Sequence, residues 1–227
     1  MLFNTPKTTN IDIFYGDNTI ERVEVFKYLG VLLDEQLKWK AHICKLSSKL
    51  AQVAGVFRRI ADFVPLETKR NLYFALFHSH LIYGILVWGT ANATILKSLQ
   101  TIQNKAIKNL FGYHRRTSTS FIHSKHEILT VKRLYNCAAC MHIHRILHGT
   151  VHTNTILNRL YEQHHHNTRG RDRLISSRRH TATFGQNSAV NRATNLYNRL
   201  QPELKLLPEY SFKSKLKNLL FIEQSNN

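Results

Sequence analysis

The sequence predicts a mainly α-helical protein in which an N-terminal β-hairpin precedes a helical bundle and a smaller helical tail. Residues on both sides of Gly16-Asp17-Asn18 are rich in β-branched and aromatic types, which favours strands around a turn. Apolar residues then recur at steps of three and four, which is the period of one helical face. Gly112, Gly149 and Pro202 interrupt that period and divide the helical part into segments.

The N-terminal segment predicts strands followed by a long helix. A second β-rich run from Phe26 to Leu33 follows the first turn, so we expect a small antiparallel hairpin or meander. Asp34 stands where an N-cap is expected. The apolar face of the helix after it comprises Leu37, Ile43, Leu46, Leu50, Val53, Ala54, Phe57 and Ile60.

Two further helices are predicted to share a core with the first. Pro65 is compatible with a first helical turn, and a mostly apolar helix is expected from there towards Trp88 and Gly89. The next helix is expected to end at Gly112, in the position that permits left-handed geometry. Its apolar stripe comprises Ile95, Leu99, Ile102, Ala106, Ile107 and Leu110.

The remaining sequence predicts shorter helices around a basic segment. Residues 131–147 have helical period, and a shorter helix is expected at 153–161. Residues 162–181 hold almost no apolar side chains, which predicts an exposed loop or linker. Two short helices are expected beyond it, with Ser211 as a candidate cap of the second.

The charge predicts a polyanionic partner. Lys and Arg number 32 against 14 Asp and Glu, giving a formal net charge of +18. Such a chain attracts nucleic acid or an anionic membrane. Residues 71–96 contain no Asp, Glu, Lys or Arg, but His78, Ser79 and His80 lie at their centre, so we expect a buried core helix and no membrane partner.

The cysteines and the N-terminus predict an intracellular location, nuclear or cytoplasmic. Three cysteines form an odd count without a disulfide framework, which suits a reducing compartment. The N-terminus MLFNTPKTTN lacks the pattern of a signal peptide, so secretion is not expected.

Catalytic and metal-binding motifs are sparse. Asp34 and Glu35 are the only adjacent acids, and their place favours capping over metal binding. Cys137, Cys140, His148 and His152 have spacing close to that of a zinc knuckle, but a helical pattern runs through them. Because one rigid helix cannot wrap four ligands around an ion, we expect no metal and no cofactor in this chain.

Several blocks of the sequence resemble one protein family. KYLGVLLDEQLKWKAHI, residues 27–43, resembles the segment after the catalytic core in reverse transcriptases of non-LTR (LINE-type, jockey-like) retrotransposons. LYFALFHSHLIYGILVWGTA and LQTIQNKAIKNLFG resemble the thumb region of that family. The similarity continues in HNTRGRDRL, in ATFGQNSAVNRATNLYNRLQPELK and in SFKSKLKNLL. Together these blocks cover nearly the whole chain in the expected order.

The resemblance implies a domain order. Residues 1–34 would be the end of the palm with a primer-grip-like hairpin, and residues 35–112 a thumb-like helical bundle. The remaining segments would be a helical extension at 113–161, a basic linker at 162–184 and a helical tail at 185–227.

The resemblance also implies site residues for nucleic acid. Those in the primer-grip-like stretch, which would steady the end of a primer, are Lys27, Tyr28, Leu29 and Gly30. Those in the thumb, which would contact the phosphates of a template and primer, are Lys45, Lys49, Arg58 and Arg59. Ordinary strand packing and a solvated helix face would account for the same residues.

The basic segment supplies further candidates without the resemblance. Its arginines lie in a stretch that cannot bury itself, and guanidinium groups pair well with phosphate oxygens. The candidates are Arg169, Arg171, Arg173, Arg178 and Arg179. A solvated connector whose charge aids solubility is the alternative.

Departures from the family pattern shape the expected function. The start MLFNTPKT resembles the palm strand just after the catalytic metal motif, so no catalytic residue is carried over, and Mg²⁺ is expected only for a full-length polymerase. We therefore expect a C-terminal fragment of a reverse transcriptase that binds template and primer nucleic acid, without a small-molecule substrate. The alternatives are an inert translated transposon relic and a host basic nucleic-acid-binding module.

Overall fold

A computed structural model describes residues 13–151 and 188–225. It shows two small antiparallel hairpins followed along the chain by helices. The predicted fold class is confirmed. The described residues fall into two compact units, which we call unit 1 (residues 13–84 and 91–111) and unit 2 (residues 85–90, 112–151 and 188–225). The domain boundaries expected from the sequence stay a prediction.

The N-terminal strands form two separate two-stranded sheets. Strands β1 (Ile13–Tyr15) and β2 (Asn18–Ile20) pair across a turn that contains Gly16, whose φ is 59°. Strands β3 (Val25–Tyr28) and β4 (Val31–Asp34) form the second hairpin. The side chains of β1, β2 and β3 are exposed, whereas Val31 in β4 is buried.

Helix α1 (Lys40–Ile60) begins later than the sequence predicts. Asp34 is the last residue of β4 rather than the N-cap of the helix, and its Oδ1 accepts a hydrogen bond from the Lys38 N–H at 2.8 Å. Leu37 and Trp39 have φ values of 50° and 64°. Because this left-handed geometry is incompatible with a helix, α1 cannot begin before Lys40.

The second predicted helix is divided into shorter pieces. They are α2 (Leu66–Leu72), a π-helical turn (Tyr73–His78), α3 (Ser79–Ile82) and α4 (Ile85–Trp88). Tyr83 has extended geometry and Gly84 has a φ of 64°, so helical hydrogen bonding stops between α3 and α4. Gly84 supplies a positive φ without steric cost, which explains the break.

Unit 1 is built around α1 and α5 (Ala93–Phe111), which pack along their lengths. The buried apolar residues of α1 form one stripe: Ile43, Leu46, Leu50, Ala54 and Phe57. Leu99, Ala106, Ile107 and Leu110 face them from α5, as the sequence predicted. Gly112 follows α5 with a φ of 73°, which confirms it as the helix terminator.

Two polar contacts fix the helices of unit 1. The Tyr73 hydroxyl in the π-helical turn accepts a hydrogen bond from Gln103 Nε2 at 2.9 Å, and both side chains are fully buried. Burial raises the pKa of Tyr73, so the phenol stays protonated. Asn109 Nδ2 donates to the Ala54 carbonyl at 2.9 Å and joins α5 to α1.

Unit 2 is arranged around helix α7 (Val131–Leu147), which ends near Gly149 as predicted. Helices α4, α8 (Ala189–Asn198) and α10 (Glu209–Ser225) pack against α7. The further helices of unit 2 within the described ranges are α6 (Thr119–Lys125) and α9 (Pro202–Lys205). Ser211 lies inside α10 and is therefore not its cap. The helix predicted at 153–161 lies outside the described residues.

His144 occupies the centre of unit 2. Its ring stacks on Phe212 at a centroid distance of 3.9 Å, and its Nδ1 lies 3.1 Å from the Tyr197 hydroxyl. Burial and the neighbouring His148 lower its pKa, which favours the neutral ring. Around this core, ion pairs of 2.7 Å join Arg133 to Glu223 and Arg145 to Glu209.

Apolar side chains of segment 71–96 are buried in the cores of the two units, as expected. They are Tyr73, Phe77, Leu81, Ile85 and Trp88. Across residues 13–151 and 188–225, no helix has both the length and the apolar character needed to cross a bilayer.

We predict that Gly89→Ala destabilises unit 2. A Cβ atom at this position would collide with the Ile85 carbonyl oxygen and the Tyr135 ring. Overpacking of this kind costs about 1–3 kcal/mol in unfolding free energy, which urea denaturation followed by circular dichroism would measure. Gly55→Ala is the control, because no atom lies within 4 Å of its Cβ position and alanine favours the helix. Equal stability of Gly89→Ala and wild type would contradict the prediction.

Candidate nucleic-acid interface

The turn between β3 and β4 is strained and exposed. Leu29 and Gly30 have φ values of 44° and 81°, which correspond to a type I′ turn. This turn type favours Asn-Gly, because glycine has no Cβ atom and asparagine tolerates a positive φ better than most residues. Leu29 is nevertheless apolar, and 74% of its surface is exposed. Strain held in an exposed turn is often associated with function, so this turn is a candidate contact point.

Tyr83 fixes this turn from a distant part of the chain. Its hydroxyl donates a hydrogen bond to the Leu29 carbonyl at 2.6 Å. A Cβ atom on Gly30 would lie 3.3 Å from the Tyr83 ring, so glycine allows the close approach. Sequence reasoning missed Tyr83. The signal that could have found it is the Tyr83-Gly84 pair, which interrupts an otherwise apolar helical pattern.

His42 joins the same hairpin to α1. Its Nδ1 accepts a hydrogen bond from the Leu32 N–H at 3.3 Å, and the side chain is buried. Burial, with a smaller contribution from Lys45, lowers the pKa of His42. The neutral ring can act as an acceptor, whereas the imidazolium cannot. The β3–β4 hairpin is thus positioned by Tyr83 at its turn and by His42 at β4.

The outer face of α1 carries the predicted basic residues. Lys45, Lys49, Arg58 and Arg59 are all exposed, and none makes an ion pair with a residue of the described ranges. They extend over about 20 Å of the helix axis at a rise of about 1.5 Å per residue. Lys49 contributes, after burial, to a lowered pKa of His80. Arg58 and Arg59 also lie in the last turn, where the helix dipole favours cations.

Small side chains occupy the centre of this exposed face. They are Cys44, Ser48, Ala51 and Gly55, all exposed, and nothing lies within 4 Å of the Cβ position of Gly55. Short side chains leave the helix backbone accessible between the longer Lys and Arg side chains. A polyanion could therefore approach α1 closely while its phosphates meet the flanking cations.

The structure places two of the three predicted site clusters in unit 1. The turn cluster is Lys27, Tyr28, Leu29 and Gly30, and the helix cluster is Lys45, Lys49, Arg58 and Arg59. The third cluster comprises Arg169, Arg171, Arg173, Arg178 and Arg179, which lie outside the described residues. The contact of all three clusters with nucleic acid stays a prediction.

Among the candidate metal ligands, the two acids have other partners and two cysteines are buried. Asp34 Oδ1 accepts a hydrogen bond from the Lys38 N–H, and Glu35 forms an ion pair with Arg22 at 3.2 Å. Burial raises the pKa of Cys137 and raises that of Cys140 to about 12, with neighbouring Cys137 and Glu223 adding to the latter shift. Such thiols stay protonated, whereas metal ligation requires the thiolate. In the part of the chain described, no three His, Cys, Asp or Glu residues form a metal-binding group; His152 lies beyond it.

Comparison with known proteins identifies relatives of one kind. A probable RNA-directed DNA polymerase from transposon X-element of Drosophila melanogaster is 26% identical over 132 residues, covering 57% of this chain and 14% of that protein. The RNA-directed DNA polymerases from mobile element jockey of Drosophila melanogaster and Drosophila funebris are each 29% identical, over 96 and 90 residues. The chain is similar to RNA-directed DNA polymerases of mobile elements.

The similarity to these polymerases is partial. The jockey matches cover 41% and 38% of this chain and 10% of each relative, so the chain spans about a seventh or less of the length of these relatives. No protein-family model matches the chain, and no solved structure matches it.

We predict that Leu29→Asn stabilises unit 1. Asparagine tolerates a positive φ better than leucine, and Asn-Gly is the preferred pair for this turn. The expected gain in unfolding free energy is about 1 kcal/mol, measurable by urea denaturation. Leu33→Asn, on the adjacent strand with ordinary geometry, should show no gain. A loss of stability in Leu29→Asn would show that the Leu29 side chain contributes more than its backbone strain costs.

Proposed function

We propose that this chain is the post-catalytic part of a retrotransposon reverse transcriptase, where it binds template and primer without strong sequence preference. The basic outer face of α1 is the observation that carries the proposal. Lys45, Lys49, Arg58 and Arg59 present four exposed cations along one helix of a chain with net charge +18. The similarity to RNA-directed DNA polymerases of Drosophila mobile elements supports the choice of nucleic acid as partner.

In the proposed complex, α1 acts through the phosphate backbone. Lys and Arg that neutralise phosphates release condensed counterions, so affinity falls as salt rises and does not depend on base sequence. The β3–β4 turn would contact the end of the primer through Lys27, Tyr28 and Leu29, with Gly30 allowing the tight turn. Tyr83 and His42 are positioning residues in this proposal, because they hold the turn and β4 in place.

The arginines of the basic segment would add a second phosphate-binding stretch. Arg169, Arg171, Arg173, Arg178 and Arg179 belong to a sequence poor in apolar residues, and guanidinium groups bind phosphate bidentately. Their contribution is separable from that of α1, because each set can be replaced without the other.

We predict that replacing Lys45, Lys49, Arg58 and Arg59 together by alanine flattens the salt dependence of binding. Four lost phosphate contacts at about 0.9 each should reduce the slope of log K against log salt by about 3 to 4 units on duplex DNA. Fluorescence anisotropy with a labelled primer–template duplex at several salt concentrations would measure this slope.

A variant with the same change in net charge is the control for that prediction. Lys132, Lys213, Lys215 and Lys217 are exposed residues of unit 2, and their replacement by alanine also removes four positive charges. We expect this variant to keep a slope close to that of wild type. Equal slopes for all three proteins would reject α1 as the binding face.

We also propose that this chain does not polymerise DNA on its own. Metal-assisted nucleotidyl transfer requires carboxylates that converge on two divalent ions. The adjacent acids do not fit that requirement, because Asp34 accepts a hydrogen bond from the Lys38 N–H and Glu35 forms an ion pair with Arg22. No catalytic step is therefore assigned to residues of this chain.

We predict that the purified chain extends no primer in the presence of Mg²⁺, template and all four dNTPs. Denaturing gel electrophoresis of a labelled primer would detect single-nucleotide extension. A heat-treated sample gives the background, and an active reverse transcriptase in the same buffer shows that the substrate is competent. Mg²⁺-dependent extension above the heat-treated background, retained through two chromatographic steps, would contradict the proposal.

A further inference from the structure

An aromatic and basic cluster lies at the outer face of α6 in unit 2, where Phe121 and Lys125 are exposed and Tyr113 and His126 are half-buried. We call Tyr113, Phe121, Lys125 and His126 the α6 cluster. The rings of Tyr113 and Phe121 meet edge to face at 6.3 Å, and Lys125 Nζ lies 5.6 Å from the centre of each ring. The Tyr113 hydroxyl lies 2.9 Å from His126 Nε2. Phe121 remains 52% exposed, so this aromatic surface faces solvent.

The opposite face of α6 is anchored. Ile122 and His123 are buried, and His123 Nδ1 lies 2.8 Å from the Ile128 carbonyl. Gln224 in α10 accepts a hydrogen bond from the Thr130 N–H at 3.0 Å and donates to the Ile128 carbonyl at 3.2 Å. The α6 cluster is therefore presented on a preorganised support, which lowers the entropic cost of binding.

Most charges around the α6 cluster are positive, and the exception in sequence is Glu127, an exposed residue directly after His126. Residues 113–126 contain no Asp or Glu, while Arg115, Arg116 and Lys125 are exposed. Arg115 and Arg116 follow Tyr113 by two and three positions and place positive charge near the aromatic residues in sequence. The surface is complementary to a ligand that combines negative charge with a flat apolar face.

A contact between Phe121 and Lys125, one turn apart, would stabilise α6 by itself. That local effect does not account for the second ring, Tyr113, which is held by His126 and comes from the preceding loop. An acidic peptide would match the charge. An unpaired nucleotide matches both features, because its base stacks on aromatic rings and its phosphate pairs with Lys or Arg.

We propose that the α6 cluster binds single-stranded nucleic acid, with an unpaired base stacked on Phe121 and Tyr113 and the adjacent phosphates near Lys125, Arg115 and Arg116. This inference rests on the proposed function, since it names a second, single-strand site in a nucleic-acid-binding chain. The flexible Lys125 side chain can move from the rings to a phosphate when a base arrives.

The experiment compares wild type with Phe121→Ala in the full chain. The probes are a labelled thymidine oligomer and an oligomer of the same length whose sugars carry no bases. Loss of one stacked base should weaken thymidine binding about tenfold and leave abasic binding unchanged. The slope of log K against log salt should stay the same, because a phenyl ring contacts no phosphate.

Two further variants separate stacking from folding. Phe121→Tyr keeps an aromatic ring and should bind like wild type, whereas Phe121→Leu keeps apolar bulk without a ring and should bind like Phe121→Ala. Phe63→Ala is the matched control, because Phe63 is 86% exposed, belongs to unit 1 and lies beside Asp62. Phe63→Ala should bind both oligomers like wild type.

The outcomes distinguish this inference from the proposed function. Failure of wild type to bind any oligomer or duplex overturns both. Duplex binding by wild type with equal thymidine affinity in Phe121→Ala overturns the stacking site and leaves the α1 proposal standing. Phe121-dependent binding of an aromatic acidic peptide, without any difference between thymidine and abasic oligomers, would assign the cluster to a protein partner and overturn it as well.

Discussion

The hydrogen bond between Tyr73 and Gln103 fixes the arrangement of unit 1. Both side chains are fully buried in an apolar core, where an unpaired polar group costs about 1–3 kcal/mol. The hydrogen bond to the Tyr73 hydroxyl forms only when α5 is aligned with the π-helical turn so that Gln103 lies opposite Tyr73. Apolar contacts tolerate small shifts better than this buried hydrogen bond does, so the pair limits how far α5 can slide along the π-helical turn.

Two side chains that were not predicted from the sequence, Tyr83 and His42, position the candidate interface on the core of unit 1. Tyr83 follows α3 directly and reaches the Leu29 carbonyl, so the π-helical turn and the β3–β4 turn are linked through one short segment. His42 begins the buried stripe of α1 and holds the Leu32 N–H. A change in the core of unit 1 would therefore alter the geometry of an exposed loop far along the chain.

Periodicity predicted α1 and α5 well, because each buries one apolar stripe, and it also predicted the bounds of α7, which is buried on several sides. It failed at Leu37 and Trp39, whose positive φ values delay α1, and at Tyr83-Gly84, which breaks a run with helical composition throughout. The positive φ values of Leu37 and Trp39 leave little trace in composition, whereas Gly84 was itself a signal for the break between α3 and α4. The basic residues of α1 were predictable because exposed positions follow from the same helical period, whereas Tyr83 reaches the turn across 54 positions of sequence.

The two hairpins have a consequence for the behaviour of this protein in solution. Each is two-stranded in the described residues, and although α1 covers the free edge of β4, the outer edges of β1, β2 and β3 have no strand partner in those residues. Phe14, Tyr15, Phe26 and Tyr28 are exposed on these strands. Open edges of this kind can pair with those of another molecule. A net charge of +18 keeps copies apart through repulsion, which salt screens within about 10 Å at 0.1 M. High ionic strength therefore lowers the electrostatic barrier to edge-to-edge association.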